Sequence, residues 1–272
     1  MRSTERVLSI IEALARSDRP QGVSELAKAL RLDKATVYRI LSVLSDRGYV
    51  QQDPATRRYS LDSRMVALSA QVLSKADLPQ RARPYLAELV RRTRQSAHLA
   101  VLSKEAPQWA VYIGQKRSPS RVQVDIRVGH MAPTHCTAVG KALLAYLPRE
   151  QLTRLAPDGK LQRLTARTSA TVDTLEHQLR VIRERGYAVD DEEFHRNIRC
   201  VAAPVRAGDG SVVASIGISG IAADIPREAI PKIAAVVVQV ADQLSREFGH
   251  VAPVHQAAAR RGHGRRLTVS RV

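Results

Sequence analysis

Within the first sixty residues, three helical apolar patterns stand so close together that they leave room only for tight turns between them. Val7, Leu8, Ile11, Leu14 and Ala15 recur at helical spacing until Asp18, Arg19 and Pro20 break the pattern, which predicts a first helix over about residues 4–17. Leu26, Ala27 and Leu30 supply the stripe of a second helix, with Ser24 as its expected N-cap. The turn Arg31-Leu32-Asp33 then leads into a third, where Asp33 is placed to cap and Val37, Ile40, Leu41 and Leu44 must face a core. Gly48 suits the left-handed position that ends it. Two strand-like stretches follow, Tyr49 to Gln52 and Arg57 to Leu61, around Asp53-Pro54-Ala55-Thr56, a sequence that favours a type I turn. The expected unit is a winged helix-turn-helix.

At 100° per residue, the face of the third helix opposite its apolar stripe carries Ala35, Tyr38, Arg39 and Ser42, with Lys34 and Thr36 in the first turn. These types suit duplex DNA: Arg can bond two acceptors on guanine, Thr and Ser can meet base edges or phosphates, and Ala can pack on a thymine methyl. Arg57 and Arg58 on the wing are placed to reach phosphates or a minor groove, which adds position and charge without necessarily specifying sequence; Thr36, Tyr38 and Arg39 are the expected base contacts, with Lys34, Arg57 and Arg58 as backbone clamps. A polar helix face is also simply a solvated face in many proteins, and charge alone does not separate the readings. The chain carries 43 Lys and Arg against 26 Asp and Glu, a net charge of +17 that favours polyanionic partners. Yet Arg260, Arg261, Arg265, Arg266 and Arg271 supply five of those charges from a terminal segment, and residues 1–60 hold only 11 basic against 7 acidic side chains. Recognition must come from placement.

Cys136 and Cys200 lie far apart without CxxC spacing, so neither a disulfide framework nor a zinc site of standard spacing is expected, and a reducing, cytoplasmic setting fits. No apolar run approaches the ~20 residues of a membrane span. Met65, Val66, Leu68, Ser69, Val72 and Leu73 predict a linker helix suited to pairing with a second copy or to packing within one chain. From Pro84 the pattern becomes mixed α/β: a helix from Tyr85 to Thr93, strands over Ser96–Leu102, Trp109–Gln115 and Val122–Val128, further helices, and then more strands. GxGxxG, P-loop and HExxH motifs are absent, and no cofactor is expected.

Three segments of this second region carry chemistry. In HCTAVGKALLAYLP, His135 to Pro148, a loop enters a helix through the small residues Thr137, Ala138 and Gly140, which serve either close packing or the approach of a ligand. In GYAVDDEEFHRNIRCVAAPV, Gly186 closes a helix that Asp173 is expected to cap. Asp190 to Glu193 read as a solvated acidic edge, and Cys200 heads an apolar strand. In the third, Gly208-Asp209-Gly210-Ser211 turns that strand into Val212–Gly220 as a hairpin. A last helix runs from Ile230 to Phe248, beyond which Ala, Gly and Arg predict a disordered tail.

The segment VSELAKALRLDKATVYRILSVLSDRGYVQQDPATRRYSL resembles the DNA-binding domain of the IclR family of regulators. CTAVGKALLA, GYAVDDEEF and CVAAPVRAGDGSVVASIGISG resemble that family's GAF-like effector domain. The resemblance implies an α/β protein of two domains, a winged helix-turn-helix over 1–61 and a GAF-like effector-binding domain over 79–250, joined by a linker and dimerisation helix over 62–78 and followed by an Arg-rich tail over 251–272. It implies a non-enzymatic regulator that binds a double-stranded DNA operator as a homodimer or dimer of dimers and responds to a small organic acid. Carried over residue by residue, Ala138, Val139, Asp190, Cys200 and Ser219 would line the effector pocket. At Gly217 some relatives carry a hydroxyl, and its absence is expected to remove one possible hydrogen bond and leave room for a bulkier or less polar ligand. Two other readings stay open: a thiol enzyme with Cys200 as nucleophile, His195 as base and Asp190 or Asp191 as orienter, and a metal-binding sensor built from His135, Cys136, Asp190 and Cys200.

Overall fold

A computed structural model describes residues 3–68, 77–103, 105–120, 124–156 and 158–251. It divides into two units, Met1–Asp77 and Leu78–Val272.

The smaller unit contains α1 (Ser3–Arg16), α2 (Val23–Leu30), α3 (Lys34–Asp46) and the antiparallel pair β1 (Val50–Gln52) and β2 (Tyr59–Leu61). Its core is the stripe read from the sequence, with Ile10, Leu14, Leu26, Val37, Leu41 and Leu44 closed over by Val50 and Tyr59. Ser24 does not cap α2. Gly22 occupies that position and the Glu25 carboxylate accepts its backbone N–H at 2.9 Å, so the cap is made from inside the helix. The turn into α3 closes with Arg31 at φ 54° and the Leu32 N–H bonded to the Ala27 carbonyl at 3.0 Å. Asp33 caps α3 as expected, accepting the Thr36 N–H at 2.7 Å. Gly48, at φ 72°, turns the chain toward the wing. Tyr59 bonds Gln21 in both directions at 2.8 Å and so ties the wing to the loop before α2. Residues 63–68 continue as helix. The rest of the expected linker helix, 69–76, lies outside the described residues, as does the tail from 252.

In the larger unit α4 (Asp77–Thr93) precedes β3 (Ser96–Leu102), β4 (Trp109–Lys116) and β5 (Met131–Pro133). Then come α5 (Ala138–Leu144), α6 (Arg149–Leu152), α7 (Val172–Arg185), β6 (Ala188–Asp191), β7 (Ile198–Arg206), β8 (Val212–Ile221) and α8 (Ile230–Glu247). One antiparallel sheet has the order β5-β4-β3-β8-β7-β6. Because strand side chains alternate, its two faces are separate. Leu99, Val201, Val205, Ile216 and Ile218 pack with Leu86 and Leu89 of α4 and Val237, Val240 and Leu244 of α8. Ala100, Tyr112 and Ala202 meet Val139 and Leu143 of α5 and Leu179 and Ile182 of α7.

Several expectations shift. The helix expected from Tyr85 begins at Asp77 and runs through Pro84, which a helix tolerates at the loss of one backbone bond. Of the strand expected over Val122–Val128, the described part is not strand: residues 124–127 have no regular structure, and Met131–Pro133 pairs with β4. Asp125 accepts from Arg117 Nε at 3.1 Å and Gln115 Nε2 at 2.9 Å, so this segment is held against β4 by side chains rather than a ladder. Thr171 rather than Asp173 caps α7, accepting the Thr174 N–H. The helix begun at Ala138 stops at Leu144, before Pro148. Among the described residues no helix is long and apolar enough to cross a membrane.

Candidate DNA-reading face and ligand cavity

On α3, Lys34, Ala35, Tyr38, Arg39 and Ser42 are exposed as the helical angle requires. Thr36 is not: it is only 8% exposed, because its place in the capping turn seats it against Asp33 while its hydroxyl lies 3.4 Å from Arg39 Nη2. On the wing Arg57 is exposed, at φ 56°. Arg58 is engaged within the protein, donating to Glu25 at 2.8 Å and to the Pro20 carbonyl at 3.1 Å. It therefore braces the wing against α2, and the free wing cation of the pair is Arg57.

In the larger unit the second sheet face and α5 enclose a cavity of about 200 Å³, somewhat larger than the ~150 Å³ apolar cavity known to admit benzene. Strand register builds its floor. Asp190 on β6 is opposite Cys200 on β7, Cys200 opposite Ser219 on β8, and Ser219 opposite Ser96 on β3, so four polar side chains share one row, of which Asp190, Cys200 and Ser219 line the cavity. Two residues along, Ala202, Gly217 and His98 form the next row. Thr137, Ala138 and Val139 of α5 and the irregular segment Val124 to Ile126 contribute the remaining walls, with exposed His130 and His195 at the mouth. All five positions carried over by resemblance, Ala138, Val139, Asp190, Cys200 and Ser219, come together here.

The acidic run behaves unlike a solvated edge. Asp190 is 1% exposed and accepts the Glu193 and Phe194 N–H groups at 2.7 and 3.3 Å. Burial pushes its carboxyl up to about 7, against the opposing pull of Lys141. Asp191 accepts from Arg199 at 2.7 Å and Arg227 at 2.6 Å. Glu192 pairs with Arg167 at 2.9 Å. Glu193 forms a buried ion pair with Lys141, whose ammonium also donates to Gln178 at 3.2 Å.

Two small residues also take a different meaning. A Cβ at Gly140 would strike the Thr134 backbone and lie 2.6 Å from Thr137 Oγ1, so this glycine serves helix packing. At Gly217 a Cβ would lie 2.6 Å from Ala202 Cβ, so the expected extra room is filled by β7 rather than opened to a ligand.

The sequence reading missed His98, which faces the cavity from β3. It is 1% exposed, neither ring nitrogen has a hydrogen-bond partner among the described residues, and its ring meets Tyr112 edge-on at 5.7 Å. Burial pushes its pKa down to about 4, so the imidazole is neutral near pH 7. The available signal was an inward-facing His in the otherwise apolar alternation of SAHLAVL.

Cys200, His195 and Asp190 of the thiol-enzyme reading all line the cavity, but the state of the thiol does not favour that chemistry. Burial, with Asp190 next, raises the Cys200 thiol well above its usual range, and its side-chain partners are Ser219 and Asp190 rather than His195. Asp191, held by arginines, is turned to other work. The metal reading also divides: His135 shares a hydrogen bond with the Gln162 carbonyl at 2.9 Å, and neither it nor Cys136 lines the cavity that Asp190 and Cys200 line. Among the described residues no three His, Cys, Asp or Glu side chains are grouped to hold a metal ion.

Comparison with known proteins follows this division. Residues 3–54 match the IclR helix-turn-helix domain, and residues 70–246 match the bacterial transcriptional regulator IclR C-terminal domain. The chain is 32% identical over 248 residues to the HTH-type transcriptional regulator KdgR of Escherichia coli (strain K12), covering 91% of this chain and 93% of that protein. It is 34% identical over 251 residues to the glycerol operon regulatory protein of Streptomyces coelicolor, covering 92% and 97%. A crystal structure of a putative transcriptional regulator, RHA06195 from Rhodococcus sp. RHA1, superposes with a TM-score of 0.75 at 28% identity, covering 91% of this chain and 98% of that one. With an exposed polar helix face in one unit and a cavity floored by polar groups in the other, and with both halves matched by the corresponding domains, this chain belongs to the IclR family of bacterial transcriptional regulators.

Proposed function

We propose that the chain binds a specific operator as a homodimer or dimer of dimers, and that a small organic acid in the cavity alters its DNA affinity without being converted. The observation that carries this reading is the combination, in one chain, of an exposed polar α3 and a cavity whose floor bears polar groups at register positions on three strands. Ala35, Tyr38, Arg39 and Ser42 meet the major groove, Lys34 and Arg57 reach the backbone, and Thr36 and Arg58 act by holding α3 and the wing in shape. Ala138, Val139, Asp190, Cys200 and Ser219 contact the effector. The raised thiol of Cys200 favours binding over nucleophilic chemistry. Two-fold symmetry in the protein demands a palindromic site, with half-sites a helical turn or a multiple of it apart.

Footprinting the purified protein across the upstream region of its own gene tests this. Two protected half-sites in inverted orientation, weakened or strengthened when organic acids from neighbouring pathways are added, are expected. Uniform protection with no preferred sequence would defeat the reading.

A further inference from the structure

A buried polar group without a partner is rare, because leaving one unmade costs more than an average hydrogen bond returns. His98 presents two such groups at once. Both belong to a ring that faces the cavity, opposite a position, Gly217, that offers no side chain to meet them. Tyr112 contributes an edge contact. Among the described residues nothing therefore uses the donor and the acceptor that a neutral imidazole carries.

The charges around the cavity restrict what can use them. Lys141 is consumed by Glu193 and Gln178, and Arg117 by Asp125. Asp190 faces the same enclosed space from the floor. A ligand carboxylate driven to this inner end would lie beside a second carboxyl, with no Lys or Arg among the described residues that line the wall. Two histidines stand instead at the exposed mouth, His130 and His195.

We infer that His98 is the specificity-determining residue of the cavity: it takes the uncharged hydrogen-bonding end of the ligand, a hydroxyl or carbonyl seated against the imidazole. An acid effector then enters with that end inward and its carboxylate toward the mouth. The inference rests on the cavity being the effector site. Sites built to hydrogen-bond a hydroxyl reject the analogue that lacks it far more strongly than apolar pockets reject a size change, because their polar groups are left unpaired.

Phenol and toluene are probes of nearly equal shape that differ in that one group. Calorimetric titration of the full-length protein with each, in the absence of DNA, is expected to show phenol binding at least tenfold tighter than toluene. His98→Phe and His98→Leu, checked for folding by thermal melting, should erase the preference, and His98→Gln, which keeps a donor and an acceptor, should retain it. Equal binding of the two probes by the unsubstituted protein, binding of neither, or a preference that survives His98→Phe or His98→Leu would overturn the assignment. Because the readout contains no DNA, a ligand that obeys this rule but leaves operator affinity unchanged counts against the effector reading alone.

Discussion

Replacing Lys141 by Met removes the cation from the most buried ion pair in the described residues. The lysine side chain is 2% and the Glu193 side chain 7% exposed, so solvent screens the pair little. In Lys141→Met, Glu193 loses its partner while one of its oxygens already has none, and Asp190 loses the one nearby charge that opposes its desolvation. An uncompensated buried charge of this kind costs about 3–5 kcal/mol. For a unit of this size each kcal/mol moves the melting temperature by about 2–4 °C, so a drop of roughly 6–20 °C is expected. Removing both charges with Lys141→Met and Glu193→Met should recover most of the loss, since an apolar pair of similar volume often equals a buried ion pair. The single variant's deficit should also shrink at low pH, where protonating Glu193 and Asp190 removes the unpaired charge. Scanning calorimetry of the full chain, following the transition of the larger unit, measures all three effects. A loss under about 1 kcal/mol, or a double variant no better than the single one, would refute the argument that charge burial dominates here.

Arg39→Ala should weaken operator binding by about 1–3 kcal/mol and relax preference at one base position, as anisotropy with base-substituted operators would report. Arg57→Ala should instead weaken all sequences alike and lower the salt slope by about 1, whereas Arg58→Ala should act through wing stability. Gly140→Ala should destabilise the larger unit by about 1–3 kcal/mol in chemical denaturation, because its Cβ meets the Thr134 backbone, which cannot swing aside. Asp190 sits near 7, above its ordinary 3.8, so the native state holds this proton more tightly than the unfolded chain. Its contribution to stability therefore falls as pH rises between those values, and the melting temperature of Asp190→Asn relative to the unsubstituted protein should climb across that window. A pH-independent difference would contradict the assignment.

The helix-turn-helix and the sheet were legible because periods of 3.6 and 2 record which side of an element is buried. Those same periods misled where side chains hold a segment in place. Thr36 lies at an outward-tending angle yet is drawn into the Asp33 cap, and Arg58 reads as a free wing cation until Glu25 is placed beside it. Val122, Val124, Ile126 and Val128 alternate as a strand would, but Asp125 ties the described part of that stretch to β4 through Gln115 and Arg117. The acidic run looked like a solvated edge because sequence does not reveal the distant cations, Lys141, Arg167, Arg199 and Arg227, that receive it. Gathering Ala138, Asp190, Cys200 and Ser219 needed the family resemblance, since they lie on four separate elements. His98 escaped notice because an inward His on a strand looks like any core residue until its missing partners are seen.

The central claim is that cavity and reading helix are thermodynamically coupled. It is tested most directly by measuring operator affinity with and without a cavity-bound acid, and the acid's affinity with and without operator. Linkage requires both ratios to be the same factor, expected at about 5–150 for a coupling of about 1–3 kcal/mol. An acid that calorimetry shows bound in the cavity, with both ratios equal to one, would contradict the account.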